Sequence, residues 1–162
     1  MRVGEFERLY EEHAQNLFGF LVYRTGDRAL AEDILADTFE RVLRTRVRFD
    51  PRKASRKTWL YTIAVNILRD HARRRSAEER ALERAAAPVP AGSSLSGYDA
   101  VDDREALGRA LRTLSDEERE AIALRYGGDL TVPEMAKLTG ESLTTVEGRV
   151  YRALRKLREE LA

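Results

Sequence analysis

The sequence predicts an all-α protein made of two small helical domains joined by a flexible linker. Apolar residues recur at three- and four-residue steps along most of the 162-residue chain, which is the period of helices with one buried face. No segment shows the strict alternation of apolar and polar residues that predicts a half-buried strand. Residues 85–98, AAAPVPAGSSLSGY, combine proline, glycine and serine with little to bury, as is typical of a linker.

These observations divide the chain into three parts. We expect an N-terminal helical bundle over residues 1–84, a linker over 85–100 and a C-terminal helix-turn-helix domain over 101–162. At about 3.3 Å per residue, residues 85–98 could extend on the order of 45 Å. The linker could therefore hold the two domains well apart.

The N-terminal domain is predicted to contain three helices. The first ends at Thr25-Gly26, and Asp27 is a suitable N-cap for the second. The basic run from Arg44 to Lys57 contains a proline and predicts a loop, and Trp59 to Arg75 predicts the third helix. The apolar face of the first helix is formed by Phe6, Leu9, Tyr10, His13, Leu17 and Leu21. The apolar face of the second is formed by Leu30, Ile34, Leu35, Thr38, Phe39, Val42 and Leu43.

The third helix also carries a stripe suited to unstacked bases. Its buried side is formed by Leu60, Ile63, Ala64, Ile67 and Leu68, with His71 as a core histidine. The stripe beside it is formed by Trp59, Thr62, Asn66, Arg69 and Arg73. An aromatic ring can stack on a base, an amide can donate and accept, and arginines can contact phosphates. For Trp59 alone, the alternative is a partly buried core residue at the helix start.

The C-terminal domain begins with an amphipathic helix from Asp102 to Leu114. In SDEE, Ser115 and Glu118 form a capping box, and the helix they start runs to Gly127-Gly128. In TVPE, Thr131 and Glu134 form a second capping box, which starts a short helix.

A turn at Gly140 and a cap at Ser142 then precede the last helix, which completes a helix-turn-helix pattern. Its packing side is formed by Leu143, Val146, Val150, Ala153, Leu154 and Leu157. The residues predicted to face DNA are Ser142, Thr144, Thr145, Glu147, Gly148, Arg149, Tyr151, Arg152 and Arg155. Small residues followed by arginines suit insertion into a major groove. The alternative is an ordinary surface helix with solvated arginines.

Charge and composition narrow the class of protein. The net charge is only +1, but residues 41–75 hold 12 Lys and Arg against 2 Asp and Glu, which suggests contact with phosphate. The absence of cysteine excludes disulfides and thiolate metal sites and favours a cytoplasmic protein. No leader and no run of roughly 18 apolar residues is present, so we expect a soluble protein without membrane insertion. Asp33 and Asp37 lack the Glu-x-x-His spacing of di-metal bundles, so we expect no metal.

Three segments resemble bacterial sigma factors, specifically the small two-domain extracytoplasmic-function group. They are LAEDILADTFERVLR (30–44), FDPRKASRKTWLYTIAVNILRDHARRR (49–75) and LSDEEREAIALRYGGDLTVPEMAKLTGESLTTVEGRVYRALRKLR (114–158). The resemblance implies that the first domain binds the clamp helices of core RNA polymerase and the −10 promoter element. It implies that the second binds the −35 element, that the linker threads toward the RNA path, and that an anti-sigma factor is a further partner. It implies neither catalysis nor a cofactor.

The resemblance also assigns residues to these contacts. The polymerase contacts fall on Asp33, Ile34, Asp37, Thr38 and Arg41. The pocket for a flipped −10 base falls on Arg52, Lys53, Ser55 and Lys57, and Asn66 matches a position that touches the opened strand. Two positions depart from the family: many relatives carry phenylalanine at Arg56, and Lys or Arg followed by Ser at Glu147-Gly148.

A second class of function remains open from the sequence. An autonomous helix-turn-helix regulator would bind a duplex operator without polymerase and would need a symmetric dimer for paired half-sites. No helix is left over for dimerisation. An enzyme is disfavoured because the chain has no phosphate-cradling glycine loop and no nucleophile motif.

Overall fold

The computed structural model describes residues 2–44, 49–84 and 101–162. The predicted linker and the start of the basic loop lie outside the described residues. Within these ranges every regular element is helical, which confirms the predicted all-α fold. None of the helices in them is long and apolar enough to cross a membrane.

The first domain contains helices α1 (Val3–Thr25), α2 (Arg28–Arg44) and α3 (Arg56–Arg84). Helix α1 ends at Gly26, which adopts the left-handed conformation (φ 67°) that glycine favours. The predicted cap of α2 is confirmed, because the Leu30 amide donates to Asp27 Oδ1 at 3.2 Å.

Helix α3 is longer at both ends than the predicted Trp59–Arg75. Ser55 Oγ accepts from the Thr58 amide at 3.1 Å, so the helix begins before the tryptophan. Its last nine residues, SAEERALER, are mostly strong helix formers, and residues 76–82 lie exposed on the surface. Apolar periodicity missed this extension because it has no buried face.

The second domain contains α4 (Val101–Thr113), α5 (Asp116–Ile122), α6 (Val132–Thr139) and α7 (Leu143–Leu161). A π-helical turn, Ala123–Gly127, continues α5. Both predicted capping boxes are confirmed, with amide-to-side-chain distances from 3.0 to 3.2 Å. The Thr145 amide donates to Ser142 Oγ at 3.2 Å, so the predicted cap of α7 is also present.

Most of the predicted apolar faces are buried, but two leucines are not. Leu43 is 61% exposed and Leu143 is 46% exposed. Each lies at a helix end, where a side chain has packing neighbours on one side only. Tyr10 is half exposed as well, although its ring packs against Phe39 with centroids 4.9 Å apart.

The two domains lie in direct contact, although the predicted linker could hold them apart. One continuous apolar cluster includes Leu17 and Leu60 of the first domain and Leu124 and Met135 of the second. A smaller cluster is confined mostly to the second domain, between α4, α5 and α7. The apolar core of the first domain therefore continues across the domain contact into the second domain.

Candidate nucleic-acid interface

Helix α7 presents its polar face to solvent. Val146, Val150 and Ala153 are buried, which turns the opposite face outward. Of the residues predicted to face DNA, the exposed ones are Ser142, Thr144, Thr145, Glu147, Tyr151, Arg152 and Arg155, and the partly buried ones are Gly148 and Arg149. The helix is therefore oriented as an insertion into a DNA groove requires.

Arg149 differs from the other arginines of α7 because it is engaged within the protein. Its Nη1 and Nη2 donate to the two carboxylate oxygens of Glu141 at 2.7 and 2.6 Å. Glu117 lies 3.9 Å from the same guanidinium, and the Arg149 side chain is 17% exposed. This bidentate pair fixes the turn before α7 to the helix itself. In this conformation Arg149 is not free to contact phosphate.

Gly148 leaves room for an arginine one turn further along α7. A Cβ placed on Gly148 would lie 3.0 Å from Nη1 of Arg152. The missing side chain allows the Arg152 guanidinium to lie back along the helix toward its N-terminal end. This is the end of α7 that would approach base edges.

The polar stripe of α3 lies on the first domain beside the domain contact. Thr62, Asn66, Arg69 and Arg73 are exposed, whereas Trp59 is partly buried and its ring lies 5.7 Å from that of Phe49. Thr62 and Asn66 line a crevice whose other walls come from α5, α6 and α7. The structure thus brings the stripe together on one face, with Trp59 at its end packed against the loop.

The loop before α3 is only partly free for DNA. Arg52 and Lys53 are exposed, and Ser55 caps α3. The Arg56 guanidinium lies over the Phe49 ring, 5.4 Å from its centroid, and makes a cation–π contact. Arg56 is the position at which many members of the resembled family carry phenylalanine.

The Lys57 side chain contacts the second domain instead of lining the predicted pocket for a flipped base. Its Nζ donates to the Asp129 carbonyl oxygen at 3.4 Å and lies 3.3 Å from a Glu134 carboxylate oxygen. Burial alone would raise the pKa of Glu134, but hydrogen bonds from Thr131 and Lys57 outweigh it and lower that pKa.

Helix α2 divides the predicted polymerase contacts between two faces. Asp33, Asp37 and Arg41 are exposed, whereas Ile34 and Thr38 are 0% exposed. The Thr38 hydroxyl donates to the Ile34 carbonyl oxygen at 2.7 Å, so its polar group is satisfied inside the domain. In this structure the side chains of Ile34 and Thr38 therefore belong to the core of the first domain, and Asp33, Asp37 and Arg41 form the exposed part of the predicted contact.

The sequence predicts His71 as a core histidine, and the structure leaves it partly buried at the edge of the first domain. Its side chain is 31% exposed, and Nε2 lies 3.6 Å from Asp37 Oδ2. No group of three His, Cys, Asp or Glu residues in the described ranges could hold a metal ion.

Two residues at the domain contact escaped the sequence prediction. Tyr61 and Val65 are buried, and they lie between Lys57 and Arg69 at four-residue steps along α3. The Tyr61 hydroxyl donates to the Gly128 carbonyl oxygen at 3.2 Å, and burial raises the pKa of this tyrosine. The only signal in the sequence was the four-residue spacing of these two apolar residues. They lie on a different side of α3 from the residues predicted to pack in the first domain, so the spacing did not reveal what would cover them.

Acid is expected to destabilise the second domain. The Arg149 hydrogen bond lowers the pKa of Glu141 below its ordinary value of 4.5, and the Lys156 hydrogen bond lowers that of Glu118. A carboxylate whose pKa is lowered by folding contributes stability above its unfolded pKa, and this is lost as the pH falls through the folded value. The free energy of unfolding, measured by urea denaturation, should therefore decline from about pH 5 downward.

The variant Glu141→Gln is the control for this pH dependence. It removes one titrating group, so its stability should fall less steeply with acid than that of the parent chain. Identical slopes for the two proteins would contradict the role given to Glu141.

Comparison with known proteins agrees with this architecture. The family model for Sigma-70 region 2 matches residues 9–78, and the model for Sigma-70, region 4 matches residues 104–157. The chain is 32% identical to the ECF RNA polymerase sigma factor RpoE of Cereibacter sphaeroides, over 97% of this chain and 86% of that protein. It is 30% identical to the ECF RNA polymerase sigma factor BldN of Streptomyces coelicolor over 94% of this chain, and it spans 58% of the length of BldN.

Among solved structures, the chain is similar to the sigma factor RpoE of Bartonella quintana, crystallised with the anti-sigma factor NepR. The TM-score is 0.76 with 27% sequence identity, and the likeness covers 98% of both chains. The two family models fall on the two helical domains described above, and the relatives match both domains at once. The chain belongs to the extracytoplasmic-function group of RNA polymerase sigma factors.

Proposed function

We propose that this alternative sigma factor divides its work in transcription initiation among three faces. The exposed face of α7 binds the −35 element, the α3 stripe with its loop binds the opened −10 element, and the acidic face of α2 binds core RNA polymerase. The chain supplies promoter specificity and melting without catalysis or a cofactor of its own. The observation that supports this most directly is the outward orientation of α7 beside a second, separate polar stripe on α3.

The −35 contact uses the N-terminal half of α7. Thr144, Tyr151, Arg152 and Arg155 are all exposed; in the proposed complex Thr144 and Tyr151 meet base edges, while Arg152 and Arg155 meet phosphates. Glu147 is exposed on the same helix and can accept a hydrogen bond from a cytosine amino group, which a Lys or Arg could not do. We therefore expect a −35 sequence that differs from those read by relatives with a basic residue there.

The −10 contact uses Asn66 as the central polar group. Its amide can both donate and accept, and Arg69 and Arg73 extend the stripe with cations for the strand backbone. Arg52 and Lys53 of the preceding loop are exposed and available for the flipped base or its phosphate.

Two protein partners follow from the family. Asp33 and Asp37 give α2 an exposed acidic face, which suits a basic surface on core RNA polymerase. The similar RpoE of Bartonella quintana was solved with an anti-sigma factor, and we propose a partner of that kind here. The chain acts where polymerase acts, in the cytoplasm.

Run-off transcription with purified core polymerase tests the proposal. Specific transcripts from genomic promoter fragments should appear only when this chain is added. Free chain should bind the same fragments weakly, because polymerase raises affinity by holding both domains on one DNA. Tight operator binding by the free chain with unchanged polymerase output would instead establish the autonomous regulator.

Arg152→Ala is expected to weaken binding of polymerase holoenzyme to promoter duplex and to flatten its salt dependence. Each lost phosphate contact removes about 0.9 from the slope of log affinity against log salt. The measurement is a fluorescence-anisotropy titration at several salt concentrations. Arg158→Ala, at an exposed arginine near the end of α7, is the matched control, and an unchanged slope for Arg152→Ala contradicts the phosphate contact.

Asn66→Ala is expected to slow promoter opening while leaving holoenzyme assembly intact. Loss of one hydrogen-bonding partner in a desolvated site costs about 1–3 kcal/mol, which corresponds to roughly 5- to 150-fold in open-complex formation. Permanganate reactivity of −10 thymines reports opening, and co-elution with core polymerase reports assembly. Equal loss of both would show that the substitution damages the fold.

A further inference from the structure

We propose that in the isolated chain the second domain closes over the −10 face of the first, and that it must move away before promoter DNA can bind there. This inference rests on the function proposed for the α3 stripe. The closed state itself can be measured by the size of the chain in solution, independently of that function.

Backbone contact between two glycines shows how closely the domains approach. A Cβ on Gly19 of α1 would lie 2.5 Å from the Gly127 carbonyl oxygen, and a Cβ on Gly127 would lie 2.7 Å from that of Gly19. Real Cβ atoms do not approach backbone so closely, so only glycine at both positions permits this contact. A flexible side chain cannot turn aside to relieve such a clash, because both neighbours are backbone.

The contact around the glycines is apolar and well packed. Phe20 and Tyr61 are fully buried with ring centroids 5.8 Å apart, and Leu124 and Leu130 of the second domain belong to the same cluster. Burial of apolar surface is the main favourable term in such associations. The domains therefore attract each other without any further chain.

Polar groups of the second domain also pair with two cationic side chains of the proposed −10 site. Lys57 contacts Glu134 and the Asp129 carbonyl oxygen, and Arg69 lies 3.8 Å from a Glu120 carboxylate oxygen. Carboxylates thus stand where DNA phosphates would stand in the proposed complex. Closure and DNA binding compete for the same side chains.

The crevice beside Asn66 holds more carboxylates than cations. Its lining includes Glu117, Glu120 and Glu141 against the guanidinium groups of Arg69 and Arg149. Both arginines already contact carboxylates of this crevice, so an entering phosphodiester would meet an excess of negative charge. Asn66 reaches solvent in the closed state, but the crevice beside it does not favour an anionic strand.

Closure leaves the −35 face open. Tyr151 is 64% exposed, and Arg152 and Arg155 are exposed on the same helix, α7. The closed arrangement therefore blocks one DNA element and spares the other.

Gly19→Ala tests closure, with Gly4→Ala on the same helix as the matched control. A Cβ on Gly4 meets nothing within 4 Å, whereas one on Gly19 meets Gly127 backbone. Overpacking of this kind shifts the closed–open equilibrium by roughly 5- to 150-fold. Small-angle X-ray scattering should give a radius of gyration near 15 Å, about the value for a compact chain of this length, for the parent and Gly4→Ala. It should give a clearly larger radius for Gly19→Ala.

Gly127→Ala repeats the test from the other side of the contact, and circular dichroism verifies that each variant keeps its helices. The second readout is affinity for a fluorescent single-stranded DNA of mixed sequence at low salt. We expect the affinity to rise several-fold in Gly19→Ala and to stay unchanged in Gly4→Ala.

An expanded parent chain, or a Gly19→Ala chain that is as compact as the parent, would overturn the closed state. Expansion of Gly19→Ala without any single-strand binding by either protein would uphold closure and count against the −10 role of α3 instead. Expansion with equal, measurable binding by both would overturn the competition between closure and DNA.

Discussion

Ile34→Ala is expected to lower the free energy of unfolding by about 2–5 kcal/mol. Ile34 is 0% exposed within α2, and the alanine would leave a cavity that the surrounding helices cannot fill completely. The measurement is equilibrium urea denaturation followed by circular dichroism. Its interest lies in the resemblance to sigma factors, which assigns Ile34 to the polymerase contacts although the structure places its side chain in the core.

Leu43→Ala is the matched control on the same helix. Leu43 is 61% exposed, so its truncation should change stability by no more than about 0.5 kcal/mol. A stable Ile34→Ala protein that fails to bind core polymerase would contradict the buried placement of Ile34.

Reversing the charge of Asp33 and Asp37 together to arginine is expected to weaken core polymerase binding by about 100-fold or more. Like charges brought together at an interface cost several kcal/mol, and the two carboxylates lie one helical turn apart on the exposed face of α2. The double variant should unfold at nearly the same urea concentration as the parent, because neither side chain is buried. Fluorescence anisotropy of labelled chain titrated with core polymerase gives the affinity.

Reversal of Glu7 and Glu11 together to arginine provides the control for net charge. This pair makes the same change in net charge at exposed positions of α1 that have no proposed contact. Equal weakening by the α1 pair and by the α2 pair would mean that polymerase responds to overall charge rather than to the α2 face.

The parts of the fold that sequence predicted well are those governed by local chemistry. Asp27, Ser115, Thr131 and Ser142 cap the helices that their positions predict, because a cap depends on a side chain and an amide two or three residues away. The C-terminal extension of α3 over SAEERALER was missed for a related reason. Helix propensity without a buried face gives no periodic signal.

The parts that sequence could not predict depend on contacts between distant segments. Tyr61 and Val65 are buried at the domain contact, and Lys57 pairs with a carboxylate 77 residues further along the chain. The resemblance assigned Ile34 and Thr38 to a partner. A resemblance compares positions along the sequence, and it does not reveal whether the side chain at that position is buried or exposed. Arg149 was predicted to contact DNA from its position on the helix. Its pairing with Glu141 was not predicted, because the pair spans a turn and helical periodicity does not extend across a turn.

The last nine residues of α3, 76–84, form a stiff helical arm beyond the end of the helix that the sequence predicts. At about 1.5 Å per residue, they place the start of the tether on the order of 14 Å beyond the predicted helix end at Arg75. Once released, the second domain would pivot from the tip of this arm and not from the bundle surface. In the proposed complex, the direction of the arm as well as the length of the tether would limit the spacings of the two promoter elements that one molecule can span.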